Sequence, residues 1–203
     1  MVRSKDNNTE ARILEAAKSI FLRDGLQGAR MQDIADLAQI NRAMLHYYFR
    51  DKEMLSQEAM KSVISKFIGT FKANLNSEEL PFKQKMDFYI KAEIDLAYNN
   101  PDMLIFALHE AARDPLFFRK IIPYNKLSAV FRKQLKEAYD NGEVKTDNIE
   151  EFITMVSSLC MFPFIAGPLY MMIFNIDEKQ WEVYRRALKQ KLSQLIKQMI
   201  FKE

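Results

Sequence analysis

Apolar residues recur at steps of three and four along almost the whole chain, and no segment alternates convincingly with period two. That spacing lays one apolar stripe along each helix and gives a strand no consistent buried face. Turn signals are also scarce, with 5 Gly and 6 Pro in 203 residues. Few breaks in a long chain mean long elements. The expected fold class is therefore all-α.

The stripes divide the chain as follows. Ile13, Ala16, Ala17, Ile20 and Phe21 share a face, with caps available from Asn7 to Thr9 and a stop at Gly25, which predicts a helix over about 9–24. Met31, Ile34, Ala35 and Ala38 mark a short second helix. Ile40-Asn41 then reads as a tight connection with Asn41 as N-cap. Leu45 and Phe49 give a third short helix one apolar side, and 52–75 reads as a long fourth. Pro81 suits the first position of a helix reaching Asn100. Asn100-Pro101 reads as a cap and a restart, Asp114-Pro115 as a break, and Asn141-Gly142 as a helix end. Asp147 with Glu150, and Asp177 with Gln180, have the spacing of capping boxes. The last helix carries Trp181, Tyr184, Leu188, Leu192, Leu195 and Met199. Residues 1–51 are expected to form one domain and 52–203 a second.

Several function classes lose support here. Cys160 is the only cysteine and there are two histidines, so a disulfide framework, a cysteine metal site and a nucleophile–His pair all lack residues. His109-Glu110 begins like the zinc-protease motif, but Arg113 occupies the place of its second histidine. No Gly-rich phosphate loop occurs. No enzyme, metal or cofactor is expected. Residues 1–10 are polar and lack the apolar stretch of a signal peptide, which suits a cytoplasmic protein. Phe152 to Phe174 carries no charge and is long enough to span a bilayer. Pro163, Gly167 and Pro168 interrupt it, and its flanks are acidic rather than basic. A helix buried between subunits is the expected reading, with no membrane partner.

A short helix, a tight turn and a second short helix, braced by a preceding helix, form the plan of a helix-turn-helix domain. Such a helix must enter a major groove about 12 Å wide with its outer face free. Leu45 and Phe49 are expected to look inward. Arg42, Ala43, Met44, His46, Tyr47 and Tyr48 are expected to look outward. Arg42 suits guanine or a phosphate, Ala43 and Met44 suit thymine methyls, and the Tyr and His tips suit phosphate oxygens. Asn41 precedes this face. Lys52 stands where the free N–H groups of a helix start also favour a phosphate. The alternative is that the Tyr and His side chains only pack a small helical core. Net charge is modest: +3 overall, with nine Lys/Arg against seven Asp/Glu in residues 1–52. Affinity must come from placed contacts and from two copies acting together.

These residues resemble the TetR family of bacterial transcriptional regulators. The resemblance is carried by Ile13-Leu14-Glu15-Ala16-Ala17 with Ile20-Phe21, Gly25, Asp33-Ile34-Ala35 and Ala38. Leu45-His46-Tyr47-Tyr48-Phe49 and Lys52-Glu53-Met54-Leu55 complete it, over about a quarter of the chain. The chain departs from the family at three places. Gln39 stands where the turn usually has Gly, so a non-Gly residue faces an αL-like conformation. Arg30 replaces a common Ser or Thr cap, with a phosphate contact as the gain. The usual Tyr and His around the recognition helix are exchanged, giving His46 and Tyr48.

The resemblance implies a ligand-responsive repressor that binds a palindromic double-stranded operator as a homodimer, through a four-helix bundle of two helices and their copies. The uncharged segment and the final stripe supply that interface, expected at 147–174 and 178–201, with Pro163 as a kink and Ala166-Gly167 as a point of close approach. It also implies an effector held by the middle helices that changes the spacing of the recognition helices. The body is rich in Phe and Met, including Phe106, Phe117, Phe118, Phe131, Met155, Met161 and Phe164, which fits an apolar or amphipathic molecule. Tyr98, Phe106, His109, Arg113, Phe131 and Met161 are the candidate pocket residues. Ordinary core packing is the competing account of each. A dimeric small-molecule-binding protein or adaptor without operator binding, and a membrane-associated helical protein, are the competing functions.

Overall fold

The computed structural model describes residues 7–75, 77–114, 116 and 129–202, without the side chains of 7, 64–73 and 75. Ten helices run through them: α1 (Asn7–Gly28), α2 (Met31–Leu37), α3 (Arg42–Tyr48), α4 (Lys52–Leu75), α5 (Phe82–Asn99), α6 (Pro101–Arg113), α7 (Ala129–Asp140), α8 (Ile149–Ile165), α9 (Gly167–Phe174) and α10 (Glu178–Ile200). The only strand-like pairing among the described residues is one antiparallel bridge, Val144 to Phe201. The all-α expectation holds. Pro115, Phe117 and Phe118 lie outside the described residues.

Two compact units emerge. One contains α1 to α3, the first part of α4 and α6; the other contains the rest of α4, α5 and α7 to α10. The chain first passes between them after Ser65, inside α4.

In the first unit, Ile13, Ala16, Ala17, Ile20 and Phe21 are buried, as their spacing predicted. Gly25 interrupts α1 with φ 66 and ψ 172, a conformation essentially reserved for glycine. Ile34, Ala35 and Ala38 pack from α2, and Leu55, Ala59 and Met60 from α4. Phe106 of α6 stacks on Phe21 with centroids 5.8 Å apart. α2 closes in a Schellman motif: the Ile40 N–H donates to the Ala35 carbonyl and the Gln39 N–H to the Asp36 carbonyl, each at 3.0 Å. Gln39 takes the left-handed position, φ 55, as its place in the turn required.

In the second unit α5 is central, packed against α7, α8 and α10. Its buried stripe runs Phe82, Lys85, Met86, Tyr89, Ile90, Glu93, Ile94 and Ala97. Phe131 of α7 and Phe152 of α8 meet Phe82 at 5.6 and 5.9 Å. Three sequence expectations shift here. Pro81 is the N-cap of α5 and not its first helical residue. The cap of α8 is Asn148, whose side chain accepts from the Glu151 N–H at 2.9 Å, rather than Asp147 with Glu150. Thr146 decides this, because its Oγ1 accepts from the Asn148 N–H and donates to Glu151 Oε2. The uncharged segment is not one helix: α8 and α9 meet at a 62° bend. The break falls at Ala166, three residues beyond Pro163. Pro168 sets it there, since a proline tolerates only the first turn of a helix and so starts a new one. Among the described residues no single helix is long and apolar enough to cross a membrane.

The capping box of α10 forms as its spacing predicted, with Asp177 and Gln180 exchanging bonds of 2.8 and 2.9 Å. Gly167 lets α9 approach α10 closely, since a Cβ there would lie 3.0 Å from the Trp181 ring. The close approach expected at this glycine is thus made within the subunit.

Candidate nucleic-acid interface

The recognition face is built by local chemistry. Asn41 is extended and caps α3, its Oδ1 accepting from the Met44 N–H at 2.7 Å. That cap fixes the register of a helix only seven residues long. Leu45 and Phe49 are buried and hold it down, as their spacing predicted. Arg42, Ala43, Met44, His46 and Tyr47 are exposed. Tyr47 is 58% exposed, whereas Tyr48 is only 6% exposed.

The burial of Tyr48 corrects the expectation that it looks outward. Residue 48 is three past Leu45, so the helix turns it onto the face that Leu45 and Phe49 occupy. Its ring meets Tyr47 edge-on at 5.5 Å and Phe49 at 6.5 Å. One ring of the pair faces solvent and the other packs.

His46 is engaged along the helix. Its Nε2 accepts from Arg42 Nε at 3.4 Å, which leaves Nδ1 to donate to the Arg50 carbonyl at 3.1 Å. The ring therefore uses both nitrogens within the protein, and the terminal guanidinium nitrogens of Arg42 have no partner among the described residues. Arg30 is exposed at the N-cap of α2, extended, with no side-chain cap bond. Lys52 is half-buried. Its ammonium donates to the carbonyls of Gln27 and Ala29 at 3.0 and 2.9 Å. It thus clips the start of α4 to the turn before α2, with one N–H left over.

The candidate pocket residues divide between the two units. Phe106, His109 and Arg113 belong to α6 in the first unit; Tyr98, Phe131 and Met161 belong to the second. Phe106 and His109 line a cleft of about 570 Å³ against α1, with Ser19, Phe21, Leu22 and Ile105. Arg113 pairs with the buried carboxylate of Glu110 at 3.2 Å. Phe131 is fully buried in the aromatic core of α5, α7 and α8. Tyr98 donates to Glu182 Oε1 at 3.1 Å and lies under Arg185 and Lys189. Glu93, also buried on α5, was not singled out by its spacing: a carboxylate on a helix is normally read as its solvent side.

A short capped helix with an exposed polar face, braced on a three-helix core, defines a helix-turn-helix DNA-binding protein. Residues 13–59 match the family model described as bacterial regulatory proteins, tetR family. Over those residues the chain is similar to the TetR family of bacterial transcriptional regulators. It is 24% identical over 169 residues to the probable HTH-type transcriptional regulator YttP of Bacillus subtilis, covering 81% of this chain and 80% of that one. It is 27% identical over 165 residues to the HTH-type transcriptional repressor NicS of Pseudomonas putida, covering 79% and 75%. These relatives are regulators, not enzymes. The fold is also that of the ketosteroid transcriptional regulator KstR2 of Mycobacterium tuberculosis, with a TM-score of 0.64 at 18% identity over the full length of both chains.

Proposed function

We propose that the chain represses transcription in the cytoplasm by binding a palindromic operator as a homodimer, and that an apolar or amphipathic small molecule releases it. DNA binding belongs to residues 1–51, dimerisation and effector binding to 52–203. The observation that carries this reading is the pairing of an exposed recognition face with a large uncovered apolar surface elsewhere in the chain. Met155, Phe162, Leu169, Met172, Ile173 and Phe174 of α8 and α9 are exposed. So are Val183, Tyr184, Leu195 and Met199 of α10. Apolar residues clustered in this way exceed what a monomer usually leaves to water. A second copy covers them through a two-fold axis, which also sets the spacing of two half-sites. Arg42, Ala43, Met44 and Tyr47 read bases and phosphates, Arg30 and Lys52 hold the backbone, and Asn41 positions the helix.

Selection of bound DNA from a random pool tests this. The expected product is an inverted repeat, with half-site centres separated by a whole number of helical turns. Enrichment of no symmetric site at moderate salt would defeat the operator reading and favour a dimeric binding protein without an operator.

A further inference from the structure

Glu93 lies on the inward stripe of α5, between Ile90 and Ile94, and is only 4% exposed. Its Oε1 accepts from Ser157 Oγ on α8 at 2.8 Å. Having donated there, Ser157 Oγ accepts from the Tyr89 hydroxyl at 2.7 Å. The second oxygen, Oε2, is enclosed and has no hydrogen-bond partner among the described residues. Among the described residues two other enclosed side-chain atoms share that condition, Gln134 Oε1 and Ser193 Oγ, but both belong to neutral groups.

Among the described residues the groups that act on Glu93 are hydroxyls, with no cation among them, and burial pushes its carboxyl up to about 7. Among the described residues its titratable neighbours are Tyr89 and Cys160. Burial raises both well above their usual range, so they stay neutral around neutral pH. A carboxylate short of partners in a buried core is expensive, and Ile90 and Ile94 flank this one on the stripe. An unsatisfied buried group of this kind calls for a missing partner.

We propose that Glu93 is the polar anchor of the effector site and that its ligand is an apolar molecule carrying a protonated amine, whose N–H bonds to Oε2. This rests on the reading of the second unit as the effector-binding body. An ammonium supplies both the missing donor and the missing positive charge, and a charge-assisted bond is strongest where water is excluded. An alcohol supplies only the donor. A carboxylate is repelled by the ionised form. The apolar part of the ligand lies against the core side chains of α5 and α8.

The test uses the full chain and three probes of equal chain length: octylamine, 1-octanol and octanoate. Calorimetry near neutral pH should show octylamine binding at least about tenfold more tightly than octanol. It should release about half a proton per site, because pairing with the amine ionises a carboxyl that is otherwise half protonated there. Glu93→Gln should lose about tenfold in octylamine affinity, and the proton release with it, while octanol binding is unchanged. Equal binding of amine and alcohol, or an unaltered variant, overturns the proposal. Should the variant not fold, the wild-type profile decides. Octylamine affinity must rise about tenfold between about pH 6 and pH 8, and a flat profile sinks the site. Operator release is measured in parallel. Octylamine bound at Glu93 with DNA retained removes the effector reading and keeps the site; release by octanoate while octylamine fails to bind does the reverse.

Discussion

Two adjacent tyrosines on α3 do different work. Tyr47 faces solvent and Tyr48 packs beside Leu45 and Phe49. Tyr47→Ala should change stability by less than about 0.5 kcal/mol and weaken operator binding severely. Tyr48→Ala should cost about 3 kcal/mol or more, because it empties part of a small core. Chemical denaturation and DNA-binding titrations of both variants separate the roles; equal stability losses would show that the two side chains have been misassigned. Glu93 supplies the residue-scale link to pH. Its folded-state carboxyl titrates near 7, above the value of 4.5 for a free glutamate. A raised folded value favours the fold fully below about 4.5, and that contribution is lost as pH climbs toward 7. Glu93→Gln should therefore match wild type in acid and exceed it by roughly 3 kcal/mol above neutral pH. Urea titrations at both ends of that range measure the gap, which must widen with pH.

Among the helices, three ends close the same way, with one residue in the left-handed region. Gly142 does this after α7 (φ 76), Asn175 after α9 (φ 51) and Gln39 after α2 (φ 55). Glycine and asparagine adopt that conformation readily, whereas glutamine is disfavoured there by its Cβ. Gln39→Gly should therefore stabilise the first unit by up to about 1 kcal/mol, and Gln39→Ile should destabilise it. Thermal melts of the two variants should move in opposite directions, and a shift in the same direction would mean that the turn relaxes around residue 39. The same local accounting explains α9. Pro168 forces a new helix start, so the uncharged segment bends instead of running straight. α10 then carries two apolar faces. Leu192, Ile196 and Ile200 pack into the second unit, while Val183, Tyr184, Leu195 and Met199 remain exposed.

For the whole molecule, the proposed dimer rests on those exposed faces. Met172 and Val183 are each 71% exposed, so a charge at either disturbs no packing within the subunit. Met172→Glu and Val183→Glu should leave the helical content intact and shift the protein toward monomer. Operator affinity should fall by two or more orders of magnitude, because each half-site then binds alone. Light scattering coupled to size exclusion checks the first effect and fluorescence anisotropy the second. Unchanged dimers in both variants would move the interface away from α9 and α10.

What the sequence alone determined is what neighbours three or four residues apart control. The inward set of α1, the Asn41 cap, the strained Gln39 turn and the Asp177–Gln180 box all depend on atoms within one helical turn. They were legible for that reason. Even within that range Tyr48 goes against its polar tip, because residue 48 falls beside Leu45 on the inward face. The helix packing decided the rest. Whether Tyr98 lines a pocket or lies under Arg185, and which half of the α10 stripe is covered, depends on partners tens of residues away. The burial of Glu93 is the clearest case: a charge acquires its cost only when α8 closes over α5, and no spacing along one helix reports that.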